Sequence, residues 1–297
     1  MNKIIFFGSG PVAAKSLSLL LPSFEVEAII TKPKTVAEMK AVAPKTTIYA
    51  VNDKRELDQL IINCGFKSTI AILIDFGIIV SQAVIDYFSD GIINSHFSLL
   101  PEWRGADPIS FAILSGQKQT GVSLMLLVEQ MDEGPLLAQV SYEIPDGATT
   151  PGLTGALIEL SDAELKTIVP LYLAHELTPI AQDQGILIGN KTPSYSRKLT
   201  KQDGIIVWTK TAVQLEREIR AFMEWPKSHT TLAGKEIIVT QALVSDKKGQ
   251  PAGSLLIEGQ QLYVCCGDGS LEIKRLKPAG KPEMSASAFL AGYRKFL

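Results

Sequence analysis

Four short runs dominated by apolar residues, KIIFF (3–7), EVEAIIT (25–31), STIAILI (68–74) and GIIN (91–94), punctuate the first third of the chain. Each is too short for a buried helix and is bounded by turn-forming residues, so each predicts a β-strand. Such near-continuous apolar strands occur where a parallel sheet is covered on both faces. The intervening segments have helical spacing. Pro11 stands in the first turn of a helix over 11–21. Leu57, Leu60 and Ile61 share one face of a helix over 54–64, and Ser81 caps a helix over 81–88. Strands alternating with helices predict a mostly parallel α/β sheet. In such a sheet, ligands bind beyond the carboxyl ends of the strands.

The pattern then changes. Residues 121–128 and 136–144 are expected strands around the turn MDEGP, an antiparallel addition to the sheet. Residues 154–176 form a long helical region that Pro170 is expected to interrupt. Residues 185–203 have no apolar period and predict a linker. A helix over 211–223, strands over 235–244, 253–258, 261–266 and 271–276, and a closing helix over 285–296 predict a small β-barrel.

Charge follows the same division. From residue 189 onward there are 17 Lys+Arg against 10 Asp+Glu, whereas residues 1–188 hold 12 against 21. A basic second part suits phosphates, although a solvated lysine-rich face gives the same count. The opening MNKIIFF is too short an apolar run for a signal core or a membrane span. A cytoplasmic protein without membrane association is therefore expected. Three cysteines, two of them adjacent, fit reduced buried thiols; the absence of CxxC spacing argues against zinc, and no metal is expected.

Gly8-Ser9-Gly10-Pro11-Val12-Ala13 follows the first strand and fits the dinucleotide pattern G-x-G-x-x-A. The acid that should hold a ribose is missing, because the second strand runs out in Thr31-Lys32-Pro33. A nicotinamide dehydrogenase is thus disfavoured. The loop still presents backbone N–H groups at a helix N-terminus, which suits an anion, and Gly8, Ser9 and Gly10 are candidate substrate contacts.

Asn94 and His96 stand at i and i+2 at the end of a predicted strand, so an extended backbone points both side chains the same way. An amide N–H is suited to an oxygen that gains charge as a carbonyl becomes tetrahedral. An imidazole is suited to moving the amine's proton or sharing that oxyanion. Asp132, in the turn between two later strands, is the candidate to orient the imidazole.

The loop after His96 reads SLLPEWRGADP. With Asn94-Ser95-His96 before it and the Asp132 turn after it, the chain closely resembles the folate-dependent formyltransferases, which share N-x-H, SLLPxxRG and an aspartate in a D-x-G turn. The resemblance extends through SYSRKLTKQDGIIVW (194–208) and AVQLEREIRAFMEWPKSHTTL (212–232) to the members that formylate methionyl-tRNA, and covers most of the chain.

It implies a Rossmann-like formyltransferase domain over 1–184, a linker over 185–204 and a small C-terminal OB-like β-barrel of the tRNA-binding type over 205–297. It implies 10-formyltetrahydrofolate as cosubstrate and initiator methionyl-tRNA as partner, with the protein acting as a monomer. Asn94 and His96 would hold the formyl oxygen, and Asp132 would position His96 and help move the amine's proton. Ser98, Leu99, Leu100 and Pro101 would line the folate site. So would Ile72, Leu73, Ile74, Asp75, Phe76, Gly77 and Ile78, with Asp75 standing where relatives often carry a small apolar residue. Arg104 would anchor the loop at the substrate side, and Lys191, Arg197, Lys198 and Lys201 would meet the tRNA backbone. One departure stands out: those relatives carry a long basic loop after the second strand, and here TKPKT runs straight into VAEMKAV. A sugar-nucleotide N-formyltransferase using the same donor is the alternative within the class. A non-catalytic folate- or RNA-binding module is the alternative outside it.

Overall fold

The first apolar run becomes β1 (Asn2–Gly8), in which Ile4, Ile5, Phe6 and Phe7 are all fully buried. Burial of consecutive residues means that both faces of the strand are covered, as continuous apolarity requires. The structure, a computed structural model, describes residues 1–184, 192–232, 234–247 and 251–293. Two compact units are present. One comprises Met1–Pro108, Gln119–Glu143 and Thr154–Arg197; the other comprises Ile109–Lys118, Ile144–Leu153 and Lys198–Leu297.

After β1 come α1 (Pro11–Leu20), β2 (Phe24–Thr31), α2 (Val36–Val42), β3 (Thr47–Ala50), α3 (Lys54–Cys64), β4 (Ala71–Ile74), α4 (Gln82–Tyr87) and β5 (Ile92–His96). Then follow α5 (Pro108–Ser115), β6 (Gln119–Leu126), β7 (Leu136–Glu143) and α6 (Thr150–Leu173). The sheet order is β3-β2-β1-β4-β5-β6-β7. The first five strands are parallel, and β6 and β7 add antiparallel. The chain starts in the middle of the sheet, at β1, and builds outward in both directions, so the crevice of the Rossmann-like half opens beyond the carboxyl ends of β1 and β4. Phe7 packs edge-on against Phe76 and Phe88, with ring centroids 5.4 and 5.9 Å away, and fastens the end of β4 to this core.

Ser81 caps α4 by accepting from the Val84 N–H, as its position predicts. Elements α2, β3 and α5 are not anticipated from the sequence. Pro170 does not interrupt α6, which is continuous from Thr150 to Leu173. The proline sits in the last turn, where its missing N–H and its ring disturb little helix, and its own carbonyl still accepts from Ala174 at 3.0 Å.

The second unit holds α7 (Ala212–Ala221), β8 (His229–Leu232), β9 (Lys235–Ser245), β10 (Leu255–Glu258), β11 (Gln261–Cys265), β12 (Ser270–Pro278), β13 (Met284–Ser285) and α8 (Ala286–Tyr293). The strands pair antiparallel in the order β10-β11-β12-β9-β8, with β13 on β12. The sheet is a curled half-barrel of OB-like type. Val239, Leu262, Leu271 and Ile273 line its core, into which Leu215 and Ile219 of α7 and Phe289 of α8 pack. The expected closing helix ends at Tyr293 among the described residues. No helix among these residues is long and apolar enough to cross a membrane.

Candidate active site

Strand β5 lies between β4 and β6, so both of its edges are closed. Asn94 is paired with Leu73 on one side and Met125 on the other, and His96 with Ser123. Alternation places Asn94 and His96 on one face, and each is only 7% exposed. The chain then leaves the sheet through the Ser98–Pro101 turn.

Asp132 reaches the pair from the β6–β7 connection. Its φ of 55° is left-handed, a conformation that aspartate and asparagine accept more readily than most residues. Two residues on, Gly134 passes so close to the Leu126 carbonyl that a Cβ would stand 1.7 Å from its oxygen. Asp132 Oδ2 accepts the Gly105 N–H at 2.7 Å. That bond turns Oδ1 toward the strand, 3.4 Å from Asn94 Nδ2 and 3.8 Å from His96 Nδ1. An amide, an imidazole and a carboxylate thus meet at the carboxyl edge of the sheet.

The far side of the imidazole fixes its tautomer. His96 Nε2 lies 2.9 Å from the Trp103 carbonyl oxygen, which can only accept, so Nε2 carries the hydrogen. Nδ1 therefore presents its lone pair, or a second proton, toward Asp132. Arg104, 9% exposed, is occupied on both edges. Nη1 meets Glu133 at 2.9 Å, while Nε and Nη2 donate to Gln182 Oε1 at 3.3 and 2.7 Å.

Gln182 is a residue that no sequence signal marked. Its Nε2 donates to the carbonyls of Asp132 at 2.8 Å and Gly134 at 2.9 Å. One buried amide therefore ties the Arg104 loop to the Asp132 turn. Replacing Gln182 by alanine strands two carbonyls and half of a buried guanidinium, at roughly 1–3 kcal/mol for each unsatisfied group. The expected result is about 3 kcal/mol less stability, the lower end of that range for three groups, and a kcat about tenfold lower, from denaturant unfolding and turnover assays. A kcat within twofold of wild type would mean that the Asp132 turn holds itself.

The stretch expected to cup a folate divides by orientation. Ile72, Ile74 and Phe76 are buried in the core, Leu73 and Ile78 are half-buried, and Asp75 and Gly77 face outward. Asp75 and Gly77 both have positive φ, 49° and 65°, so the backbone here is irregular and turned to the crevice. Asp75 lines the crevice, where desolvation pushes its carboxyl up to about 6 against the pull of Lys32. Ser98, Leu99, Leu100 and Pro101 are buried, so they shape the wall through their backbone rather than by exposed side chains.

Gly8 must be small, because a Cβ there would stand 2.6 Å from that of Ala13. Ser9 and Gly10 follow it into the crevice. Tyr195 pairs with Arg104, and Ser194 and Ser196 exchange backbone hydrogen bonds with the same residue, so this part of the expected linker lies along the site loop. Arg197, Lys198 and Lys201 are exposed, whereas Lys191 lies outside the described residues.

A Rossmann-like sheet whose edge gathers Asn94, His96 and Asp132, followed by an OB-like half-barrel, is the architecture of a formyl transferase. A family model of that description matches residues 21–168, and a second, for the formyl transferase C-terminal domain, matches residues 198–294. The methionyl-tRNA formyltransferase of Magnetococcus marinus is 32% identical, the match covering 98% of this chain and 95% of that protein. That of Pseudomonas entomophila is 34% identical over 99% and 97%. The chain belongs to the methionyl-tRNA formyltransferase family. Solved structures share the fold at lower identity. An N-formyltransferase from Helicobacter canadensis, in complex with folinic acid and dTDP-3-aminofucose, superposes with a TM-score of 0.67 at 17% identity, over 92% of this chain and 98% of that one. HypX from Aquifex aeolicus, in complex with tetrahydrofolic acid, gives 0.64 at 16%, over 98% of this chain and 47% of that one.

Proposed function

We propose that this chain transfers the formyl group of 10-formyltetrahydrofolate to the α-amine of methionine on initiator tRNA. The observation that carries the reading is the meeting of Asn94 Nδ2, His96 Nδ1 and Asp132 Oδ1 within 3.4 and 3.8 Å at the end of β5, in a chain alike over nearly its whole length to enzymes of that name.

The irregular backbone around Asp75 and Gly77, with the apolar Ile79 and Met131 exposed (69% and 67%), suits a flat polar-edged ring with apolar faces. The cosubstrate bound there supplies the formyl carbon and the departing amine. Asn94 and His96 reach Asp132 only at long distance, so a carbonyl oxygen seated among them gains more than it displaces. Asn94 Nδ2–H and protonated His96 Nδ1–H donate to that oxygen as it becomes anionic. Asp132 stabilises the imidazolium and accepts the proton shed by the attacking amine. Gly105 and Gln182 keep its carboxylate in place.

Residues 1–184 carry this chemistry, and the basic part over 205–297 holds tRNA. Lys191, Arg197, Lys198 and Lys201 neutralise phosphates between them. The enzyme works as a monomer in the cytoplasm. An amino-sugar nucleotide as acceptor is the second reading, favoured by the sugar-transferase folds among the structural neighbours. The experiment is formyl transfer from 10-formyltetrahydrofolate to charged initiator tRNA and to a panel of amino-sugar nucleotides. A kcat/KM at least a thousandfold higher for charged tRNA is expected; tRNA inert and a sugar active would reverse the assignment.

A further inference from the structure

Two buried glutamines hold the loop that leaves β5, one at each end. Gln182 holds the Arg104 end and the Asp132 turn. Gln139, on β7, is 7% exposed and holds the other end, Ser98–Pro101. In the register His96 stands opposite Ser123 of β6, and Ser123 opposite Gln139, so the three side chains form one row on one face of the sheet. The loop lies across β6 on that face. Leu99 packs over Gly121, where a Cβ would stand 2.6 Å from its Cδ2. Ser123 Oγ accepts the Leu100 N–H at 3.0 Å and donates to the Ser98 carbonyl at 2.7 Å. Gln139 Nε2 donates to the Leu100 carbonyl at 2.7 Å and to Ser123 Oγ at 3.1 Å. A hydroxyl has one hydrogen, and a carbonyl can only accept it, so Oγ receives from both nitrogens and every direction in the network is set. Two side chains thus satisfy three backbone groups of the turn.

The Gln139 amide is only half satisfied. Among the described residues its Oε1 is buried and finds no hydrogen-bond partner. An orphan oxygen detracts from stability, and an apolar side chain of similar shape would fill the same space without it. What the amide alone supplies is the donor that sets the Leu100 carbonyl. We infer that Gln139 and Ser123 are positioning residues for the formyl donor, holding the backbone wall Ser98–Pro101 where 10-formyltetrahydrofolate meets it. The inference rests on the proposed function, and it assigns donor binding and turnover to opposite ends of one loop. The far end has its own fastenings. Trp103, whose carbonyl fixes the imidazole, donates its N–H to Ser194 Oγ at 2.9 Å. Arg104 is held by Glu133 and Gln182, and Asp132 by Gly105. Releasing Leu100 therefore loosens the wall while His96 and Asp132 keep their places.

The test is steady-state formylation by the full chain, varying 10-formyltetrahydrofolate and charged initiator tRNA in turn, with titration of folinic acid in the absence of tRNA. Gln139→Leu is expected to raise both KM for 10-formyltetrahydrofolate and Kd for folinic acid about tenfold, the scale of one hydrogen bond. KM for tRNA and kcat should stay within about threefold, whereas Gln182→Ala lowers kcat. Ser123→Ala should match Gln139→Leu, and Ser123→Thr, which keeps the hydroxyl, should stay near wild type. The double variant Gln139→Leu/Ser123→Ala should fall short of the product, because both residues hold one turn. A Gln139→Leu enzyme that melts with wild type and keeps its donor KM within twofold would overturn the inference, as would a loss confined to kcat. Should Gln139→Leu fail to fold, the contrast between Ser123→Ala and Ser123→Thr decides by the same criteria. Folinic acid bound while charged tRNA stays unformylated would sink the proposed acceptor and leave this inference to stand on the Kd values. A wild type that binds no folate would end both.

Discussion

His96→Ala is expected to lower kcat for formyl transfer about a thousandfold, with both KM values within threefold of wild type. The imidazole faces Asp132 through Nδ1 at 3.8 Å and Trp103 through Nε2. Its value appears when negative charge reaches the carbonyl oxygen. Losing one such donor costs about 10²–10³ in rate. The substitution also strands the Trp103 carbonyl, at roughly 1–3 kcal/mol. Circular dichroism and a thermal midpoint should accompany the kinetics. A folded His96→Ala enzyme within tenfold of wild type would show that the imidazole is structural. Asn94→Ala should give a loss of the same kind, about a hundredfold. The double variant should fall well short of the product, because both act on one oxygen.

The parts of this site that were legible in the sequence are those whose signal is local. KIIFF announces burial on both faces through four consecutive apolar residues, and all four are fully buried. Asn94 and His96 share a face by the alternation of a strand alone. Two of the elements that escaped, α2 and β3, carry little apolar signal. Only Met39 is buried in α2, and β3 is an edge strand with no buried residue. Gln182 escaped for another reason. Its partners Arg104, Asp132 and Gly134 stand 78, 50 and 48 residues away, and a neutral amide in an aperiodic segment carries no pattern. The bond from Gly105 to Asp132 is likewise tertiary. Composition and period report which residues leave water; they do not report which polar groups find one another once inside.

Asp132→Asn separates charge from scaffold more cleanly than any other substitution at this site, and it should cost at least a thousandfold in kcat. The backbone at position 132 is left-handed, φ 55°, which asparagine tolerates and alanine does not. An amide oxygen still accepts the Gly105 N–H now held at 2.7 Å, so the turn should keep its shape and the thermal midpoint should move by no more than about 2 °C, the scale of a ΔΔG well under 1 kcal/mol. What disappears is the negative charge beside His96 Nδ1 and the acceptor for the amine's proton. The comparable aspartate-to-asparagine change in a serine protease triad costs about 10⁴ with the geometry intact. Asp132→Ala should show the same loss of turnover with a clearly lower midpoint, since it gives up the Gly105 bond and strains the backbone as well. Equal kcat losses with unequal midpoints would locate the effect in the carboxylate charge. An Asp132→Asn enzyme that kept a tenth or more of wild-type turnover would leave the amine's proton to solvent and remove the carboxylate from the chemistry.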